Sequence, residues 1–271
     1  MVTNAGFIDF QITWSADIFS GTPQGSNAEF FATKGINLYA YKPRARGKAQ
    51  KGTIPAQGAE GLQPTHLRRK EHWDNVYKDK LPTQVSWYED YPEISLSLIK
   101  STGVGPSGSI IDVGGGASKL VDTLLLHGYE DITVLDISTY ALDRAKQRLK
   151  EQAADRVNWI EVDITLVKLE QTYDVWHDRA VFHFITDAGE RRKYVETLRH
   201  SLKIGGHLIV ATFAIDGPLR CSGLDIVRYS SQGLHNEFGA DFELVESFEL
   251  DHITPAEKVQ RFIFCHFRRM A

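Results

Sequence analysis

The stretch Ile110-Ile-Asp-Val-Gly-Gly-Gly-Ala-Ser118 is the most informative part of this sequence of 271 residues. An apolar run that suits a buried strand leads directly into three consecutive glycines, and a helical pattern begins at Ser118. Glycine lets the backbone turn tightly and carries no Cβ that would block a ligand lying across the strand end. The stretch therefore predicts a strand, a tight loop and a helix that together border a ligand.

The spacing of these glycines does not match the dinucleotide-binding fingerprint Gly-x-Gly-x-x-Gly. Counted from Gly114, the third glycine position is occupied by Lys119. Counted from Gly116, the second glycine position is already occupied by Ser118. The mismatch disfavours a nicotinamide-dependent dehydrogenase.

Two aspartates that follow the next two predicted strands favour a nucleoside as the ligand. Asp136 ends the second of these strands, where a carboxylate can accept hydrogen bonds from both ribose hydroxyls. Asp163 holds the same place after the third strand, where it would accept from an adenine amino group while Ile137 and Ile164 pack on the ring faces. The alternative for both aspartates is a capping role in a turn or at a helix start.

The pattern on either side of this core predicts an α/β fold. Apolar runs alternate with amphipathic stretches, which predicts parallel strands with helices on both faces of the sheet. Two final strand-like runs have no helix between them, which predicts an antiparallel hairpin at the sheet edge. We therefore expect a Rossmann-like, doubly wound, seven-stranded mixed sheet. The predicted strands are 109–113, 132–135, 157–161, 173–176, 207–213, 242–251 and 260–267, and the predicted helices are 65–78, 93–101, 118–127, 138–151 and 190–202.

The composition excludes several classes of protein. The 31 basic and 35 acidic residues give a net charge of −4, which argues against a protein devoted to binding nucleic acid. Two cysteines are too few for a disulfide scaffold and suit a reducing compartment. No apolar run is long enough for a membrane helix, and no secretory signal is evident. We expect a cytoplasmic protein with neither a membrane nor a nucleic acid as its partner.

Residues 1–64 differ in composition from the rest of the chain. They carry a net charge of +2, which leaves −6 on the remaining 207 residues. The segment 41–65 is rich in Gly, Pro, Ala, Gln, Lys and Arg, and such a composition cannot bury enough apolar area to offset chain entropy. Residues 7–31 contain scattered aromatics that would suit a small hairpin or a helix. The sequence thus predicts an N-terminal extension, largely linker or disordered, over 1–64 and a ligand-binding domain over 65–271.

Over about residues 70–269 the sequence resembles the class I S-adenosylmethionine-dependent methyltransferases. The residues that carry the resemblance are Asp112-Val-Gly114-Gly-Gly116, Asp136, Asp163-Ile164, Tyr173-Asp174 and Leu202–Gly206, together with the final hairpin. The resemblance implies S-adenosyl-L-methionine as cofactor. It also implies that the methionine end is bordered by Asp112, Gly114, Gly115 and Gly116, the ribose is bound by Asp136, and the adenine is bound by Asp163 with Ile164.

Aromatic residues before the glycine loop are candidates for a lid over the cofactor. Trp73, Tyr77, Trp87 and Tyr88 would place aromatic faces beside a positively charged sulfonium, which is a favourable environment for it. We expect Trp73 and Trp87 to contact the cofactor and Tyr88 to contact the methyl acceptor. The alternative for Trp73 and Tyr77, which have helical spacing, is packing in the core.

The segment past the fourth strand, Trp176-His-Asp-Arg-Ala-Val-Phe-His183, is the expected place for the acceptor, because ligands of open α/β sheets gather at the carboxyl ends of the strands. A neutral imidazole of His177 or His183 would take a proton from a thiol or hydroxyl. His177 and Asp178 are also expected beside the methionine end of the cofactor. Arg179 would pair with a substrate anion or with Asp178.

A loop after the fifth strand is expected to complete the acceptor pocket. Its candidate residues are Arg220, Cys221 and Tyr229. With only Cys221 and Cys265 available as thiols, the sequence predicts no thiolate metal site.

The sequence favours a small-molecule acceptor, with sulfur ahead of hydroxyl. No Asn/Asp-Pro-Pro-Tyr box of amine-methylating members is present, and Asp178 is followed by Val181 where protein-lysine members often have Phe or Tyr. A protein-lysine methyltransferase stays open as an alternative, because the segment 71–89 resembles that of some lysine-methylating members. A non-catalytic module that binds S-adenosylmethionine is the other alternative.

Overall fold

The computed structural model describes residues 8–16, 35–41 and 65–271. The chain divides into two compact units, Met1–Glu60 and Gly61–Ala271. In the first unit, strand β1 (Ile8–Ala16) pairs antiparallel with strand β2 (Gly35–Tyr41). The linker predicted after Tyr41 lies outside the described residues.

The second unit is built on a seven-stranded mixed sheet with the order β10-β11-β7-β6-β3-β4-β5. Strands β7, β6, β3, β4 and β5 run parallel to one another, and β11 pairs antiparallel with both β7 and β10. This confirms the predicted doubly wound sheet with its final hairpin. The strands are β3 (Ser109–Val113), β4 (Asp131–Asp136), β5 (Val157–Glu161), β6 (Tyr173–Arg179), β7 (Leu202–Phe213), β10 (Phe242–Ile253) and β11 (Val259–Arg269), with a small antiparallel pair β8 (Arg220–Cys221) and β9 (Leu224–Asp225) in the loop after β7.

Helices cover both faces of this sheet. They are α1 (Thr65–Asp79), α2 (Glu93–Ser101), α3 (Leu120–Leu126), α4 (Thr139–Leu149), α5 (Glu151–Ala154), α6 (Ala188–Ser201) and α7 (Ser231–Phe238), with short 3-10 turns at Pro82–Gln84 and Phe182–Phe184. The helix predicted over 138–151 is divided, because Lys150 has a φ of 62° and ends α4. Ser138 lies before α4 as its N-cap, and its hydroxyl accepts from the backbone of Ala141.

Apolar side chains fill the space on both sides of the central strands. In β3, Ile110 belongs to one buried cluster while Ile111 and Val113 belong to the other. This alternation follows from the two-residue period of a strand, and burying each such side chain stabilises the fold by about 1.5–3 kcal/mol. The two cores fix the carboxyl ends of the parallel strands at one edge of the sheet. No helix within the described residues is long and apolar enough to cross a membrane.

Candidate functional site

The glycine loop after β3 passes so close to its neighbours that side chains at Gly114 or Gly116 would clash with them. Gly114 has a φ of +69°, and a Cβ added there would lie 2.0 Å from the Val181 side chain. At Gly116, with a φ of +39°, an added Cβ would lie 2.6 Å from the carboxylate of Asp136. Glycine alone therefore permits this loop to pass so close to its neighbours.

A cavity of about 830 Å³ runs along the carboxyl edge of the sheet beside this loop. One end, which we call the β4–β5 end, is lined by residues at the ends of those two strands. The opposite end, which we call the β6–β11 end, is lined by residues at and after the ends of β6 and β7 and by two residues of β11. The β4–β5 end contains Leu135, Asp136, Ile137, Val162, Asp163 and Ile164, and the β6–β11 end contains Arg179, Ala180, Val181, Phe184, Ile185, Phe213, Cys221, Gln260 and Phe262.

Two buried carboxylates lie at the β4–β5 end. Asp136 accepts a hydrogen bond from the backbone of Ser138 at 2.8 Å, and burial together with the nearby negative charge of Asp112 raises its pKa to about 7. Asp163 accepts from the backbone and hydroxyl of Thr165 through one oxygen and pairs with Arg69 through the other. Both carboxylates thus keep lone pairs beside the cavity, as an acceptor for hydroxyl or amino donors must.

A second cavity of about 600 Å³ lies on the other side of the glycine loop. It contains Asp112 and His177, whose Oδ1 and Nδ1 atoms are 2.7 Å apart. Because a carboxylate only accepts, Nδ1 of His177 donates and Nε2 accepts from the Ser95 hydroxyl at 2.9 Å. Gly114 and Gly115 also line this cavity. The residues common to both cavities are Tyr77, Trp87, Gly114 and Arg179.

Aromatic side chains from α1 and the segment after it cover the larger cavity. The Trp73 ring lies 5.6 Å from that of Trp87 and 4.9 Å from that of Phe184, in edge-on arrangements. The indole N–H of Trp87 donates to the hydroxyl of Tyr77 at 3.2 Å. Tyr88 lines the second cavity instead, and its hydroxyl donates to Asp90.

Ionic contacts hold α1 over the β4–β5 end. Arg69 bridges Asp163 and Glu190. Lys70 pairs with Glu161 at 2.8 Å and donates to the hydroxyl of Thr139 at 2.9 Å. Glu190 belongs to α6, and the other partners follow or end the strands that line this end of the cavity, so α1 is attached to the rim of the site.

The Arg179 side chain divides the two cavities at the β6–β11 end. Its Nη1 donates to the backbone oxygen of Trp87 at 2.9 Å, and its Nη2 forms an ion pair with Glu89 at the same distance. The guanidinium lies 5.3 Å from the centre of the Phe262 ring. Burial lowers the pKa of Arg179, while Glu89 and Asp112 act in the opposite direction.

Besides Gly116, four predicted site residues line neither cavity. Asp178 is fully buried and accepts from Tyr194 at 2.6 Å, so it fixes the turn after β6. His183 is buried behind the site, and burial lowers its pKa to about 3. Tyr229 is a core residue, and Arg220 is exposed and pairs with Asp225. These positions do not favour the ligand contacts expected of the four side chains.

The remaining predicted residues lie at or beside the two cavities, with Gly116 in the loop between them. Sequence reasoning missed Arg69, Ser95, Phe184, Phe213, Gln260 and Phe262. Phe213, Gln260 and Phe262 come from β7 and β11, which are far apart in sequence and become neighbours through antiparallel pairing. The only signals that pointed to them were the place of Phe213 at the end of a predicted strand and that of Gln260 and Phe262 in the predicted hairpin.

Comparison with known proteins gives a consistent result. Residues 111–208 match the family described as "Methyltransferase domain". The chain is 24% identical to EEF1A lysine methyltransferase 2 of Homo sapiens over 203 residues, which cover 70% of this chain and 80% of the relative. It is 29% identical to Nodulation protein S of Sinorhizobium fredii over 126 residues, or 46% of this chain and 56% of that protein.

The fold also matches solved structures. The N-methyltransferase NodS from Bradyrhizobium japonicum WM9, in complex with S-adenosyl-L-homocysteine, superposes with a TM-score of 0.57 at 20% identity, covering 72% of this chain and 97% of that one. The strand order, the glycine loop and the matched domain lead to the same conclusion. Residues 111–208 of the chain thus match a methyltransferase domain, and the fold around them is that of S-adenosylmethionine-dependent methyltransferases of known structure.

Proposed function

We propose that this enzyme transfers the methyl group of S-adenosylmethionine to the ionised sulfur of a small thiol. The observation that carries the proposal is the composition of the β6–β11 end, where the buried Arg179 cation lies among aromatic rings. The residues described at this end include no histidine, aspartate or glutamate. An acceptor that gives up its proton readily therefore suits the site best.

The cofactor would lie with its nucleoside at the β4–β5 end. Asp136 would accept from the ribose hydroxyls, and Asp163 would accept from the adenine amino group between Ile137 and Ile164. Its methionine end would enter the second cavity beside Asp112 and the glycine loop. The cofactor supplies a methyl group on a positively charged sulfur, and the aromatic cover of Trp73 and Trp87 stabilises such a cation and excludes water.

The choice of sulfur follows from acid strength. A thiol ionises near pH 8.5, a phenol near 10, and a lysine ammonium near 10.4. The positive charge of Arg179 favours the ionised form of a thiol or a phenol and disfavours the ammonium form of an amine. The thiol is thus the acceptor that needs the least help from a base, and we assign no proton-accepting role to His177 or His183.

Protein-lysine methylation is the second candidate, and the relationship to EEF1A lysine methyltransferase 2 over 70% of the chain favours it. The two functions make different demands on the β6–β11 end. A lysine side chain must enter as a neutral amine, so its site needs a proton acceptor or an anionic partner. Glu89 is a carboxylate beside this end, but Arg179 already pairs with it.

Incubation with radiolabelled S-adenosylmethionine tests both candidates. One arm contains a panel of small thiols, phenols and amines, and the other contains lysine-bearing peptides and a cell lysate. We expect label in the thiols, at a rate that rises with the fraction of thiolate. Labelling of peptides or lysate proteins with none of the thiols would reject the proposal in favour of lysine transfer. Calorimetry with S-adenosylhomocysteine confirms in each arm that the protein used binds cofactor.

A further inference from the structure

Three buried polar atoms at the β6–β11 end have no hydrogen-bond partner among the described residues: Nε and Nη2 of Arg179, which are donors, and Oε1 of Gln260, an acceptor. Nη2 has the ion pair with Glu89, so Nε and Oε1 are the two atoms left without a polar partner. Both residues line the larger cavity. A buried polar group without a partner destabilises the folded protein, so such a pair is a natural place for a ligand to supply the missing contacts.

Strand register places these residues on one side of the sheet. Arg179 pairs with Ala211 of β7, and Phe213 of the same strand pairs with Phe262 of β11. Gln260 precedes Phe262 by two residues. Because side chains two residues apart point to the same face, Arg179, Phe213, Phe262 and Gln260 share one face of the sheet at its carboxyl edge.

The space between the two polar atoms has aromatic walls. The rings of Phe213 and Phe262 are 4.7 Å apart and edge-on to one another, and Phe262 also lies against the Arg179 guanidinium. Phe184, Trp73 and Trp87 form the rest of the wall. Aromatic rings gain most from contact with another aromatic ring, at separations of this kind.

We propose that the acceptor is a planar aromatic thiol that carries an N–H or O–H group next to its sulfur. The thiolate lies against Nε of Arg179, the neighbouring N–H or O–H donates to Oε1 of Gln260, and the ring packs against Phe213 and Phe262. This inference rests on the proposed function, because it names the acceptor that the same site takes. Arg179 and Gln260 are then the residues that determine acceptor specificity.

The transfer balances without a base from the protein. The thiol loses its proton to water as it binds, since Arg179 stabilises the thiolate. A sulfur lone pair of the thiolate forms the new bond to the methyl carbon. The bond from that carbon to the cofactor's sulfur breaks, and its electron pair stays on that sulfur. One negative and one positive charge are lost, and the products are a methyl thioether and S-adenosylhomocysteine.

Three thiols separate the parts of this inference: 2-aminothiophenol, thiophenol and cyclohexanethiol. The first two differ by one N–H donor beside the sulfur, and the third has no aromatic ring. We expect kcat/KM per unit of thiolate to fall about tenfold at each step of this series. Equal values for thiophenol and cyclohexanethiol, or for the two aromatic thiols, would overturn the inference.

Variants of Gln260 and Arg179 test whether these two side chains cause the differences in kcat/KM among the thiols. Gln260→Met, which is similar in volume, should lower kcat/KM for 2-aminothiophenol about tenfold and leave thiophenol unchanged. Arg179→Gln should lower kcat/KM for both aromatic thiols and move the rise of kcat to higher pH, because the bound thiol loses its cationic partner. Arg192→Gln, an exposed change on α6, serves as the control. If Arg179→Gln does not fold, the Gln260 variant still decides.

Calorimetry separates failure of this inference from failure of the proposed function. The inference is wrong and thiol transfer stands if the wild type labels all three thiols alike. The same holds if a folded variant that binds S-adenosylhomocysteine normally shows no effect, which means an unchanged preference for 2-aminothiophenol over thiophenol in Gln260→Met or an unchanged kcat/KM for both aromatic thiols in Arg179→Gln. If no thiol is labelled by a protein that binds S-adenosylhomocysteine, both are wrong.

Discussion

Asp112 and His177 are joined by a 2.7 Å hydrogen bond between two side chains that are each about 4% exposed. Strands β3 and β6 place them directly opposite one another in the sheet. The second ring nitrogen of His177 is occupied by Ser95 of α2. The imidazole thus links the strand before the glycine loop to the helix in front of it, and neither nitrogen is free to take a proton from an acceptor.

Replacement of His177 by alanine should weaken folding and cofactor binding without changing proton transfer. It leaves the Asp112 carboxylate and the Ser95 hydroxyl unpaired, and we expect the free energy of unfolding to fall by about 1–3 kcal/mol. The affinity for S-adenosylhomocysteine should fall as well, because Asp112 borders the second cavity. Urea denaturation and calorimetry measure the two effects, with the exposed His200→Ala as control.

The pH profile of kcat at saturating cofactor decides between this linking role and a base. If His177 only positions its neighbours, the variant keeps the wild-type profile at a lower rate. If a variant of unchanged stability loses the change of kcat with pH that the wild type shows near neutral pH, His177 is the proton acceptor instead.

Asp136→Asn should weaken cofactor binding while it stabilises the free protein. The amide oxygen keeps the contact with Ser138, but an asparagine cannot accept hydrogen bonds through both of its terminal atoms. We expect the dissociation constant for S-adenosylhomocysteine to rise at least tenfold. The matched control is Asp143→Asn, an exposed change on α4 that should leave binding unaltered.

The stabilisation should depend on pH with a definite sign. Burial raises the pKa of Asp136 in the folded protein to about 7, above its value near 3.9 in an unfolded chain. The contribution of Asp136 to the free energy of unfolding is therefore greatest below its pKa in the unfolded chain. It decreases as the pH rises through its pKa in the folded protein. At pH 8 the variant should be more stable than the wild type by on the order of 2 kcal/mol, and at pH 4 the gain should vanish. An equal gain at both pH values would contradict a buried, ionised carboxylate.

The fold, and the placement of the residues at the β4–β5 end of the cavity, could largely be predicted from sequence because their signals are local. Asp136 and Asp163 follow apolar strand patterns within a few residues, and the glycine loop is contiguous. Strand alternation then places these residues at one edge. The final hairpin also had a local signal, since no helix separates β10 from β11.

The β6–β11 end could not be predicted in the same way because it is assembled from distant segments. Gln260 and Phe262 reach it only through the pairing of β11 with β7. Arg69 likewise reaches the β4–β5 end only through the packing of α1. His183 was expected to take a proton from the acceptor because it lies past β6, but the 3-10 turn Phe182–Phe184 directs its side chain into the core.

Arg69→Gln should raise the dissociation rate of the cofactor and leave the protein folded. The change removes the bridge from α1 to Asp163 and Glu190, which fastens the helix over the β4–β5 end. The Arg69 side chain is 18% exposed and that of Asp163 5%, so loss of the bridge should lower the free energy of unfolding by about 1–3 kcal/mol. A typical domain is more stable than this, so the protein should stay folded, which urea denaturation checks. Stopped-flow tryptophan fluorescence measures the dissociation rate, since Trp73 and Trp87 line the cavity.

The neighbouring arginine provides the control for this experiment. Arg68 is exposed on the same helix, so Arg68→Gln changes the charge of α1 equally without touching the bridge. We expect the dissociation rate to rise several-fold in Arg69→Gln alone. Equal rates in the two variants would mean that the bridge does not restrain α1.

His183→Leu should make the protein less stable at neutral pH, more stable in acid, and leave methyl transfer unchanged. The ring packs 4.5 Å from that of Phe184 and 4.7 Å from that of Phe213, and its Nδ1 accepts from the Phe213 backbone. Leucine matches its volume but leaves this N–H unpaired, so we expect a loss of about 1 kcal/mol at pH 8.

In acid the order reverses, because burial and the Arg179 charge lower the pKa of His183 in the folded protein to about 3. A lowered folded pKa gives stability that is complete above the unfolded pKa near 6.5 and is lost as the pH falls towards the folded one. At pH 5 the wild type has therefore lost about 2 kcal/mol of that contribution, and the variant should be the more stable of the two. Urea denaturation at pH 8 and pH 5 measures the crossing. A parallel loss at both pH values would show that His183 is solvated, and loss of turnover in a variant that binds cofactor normally would restore it as a candidate base.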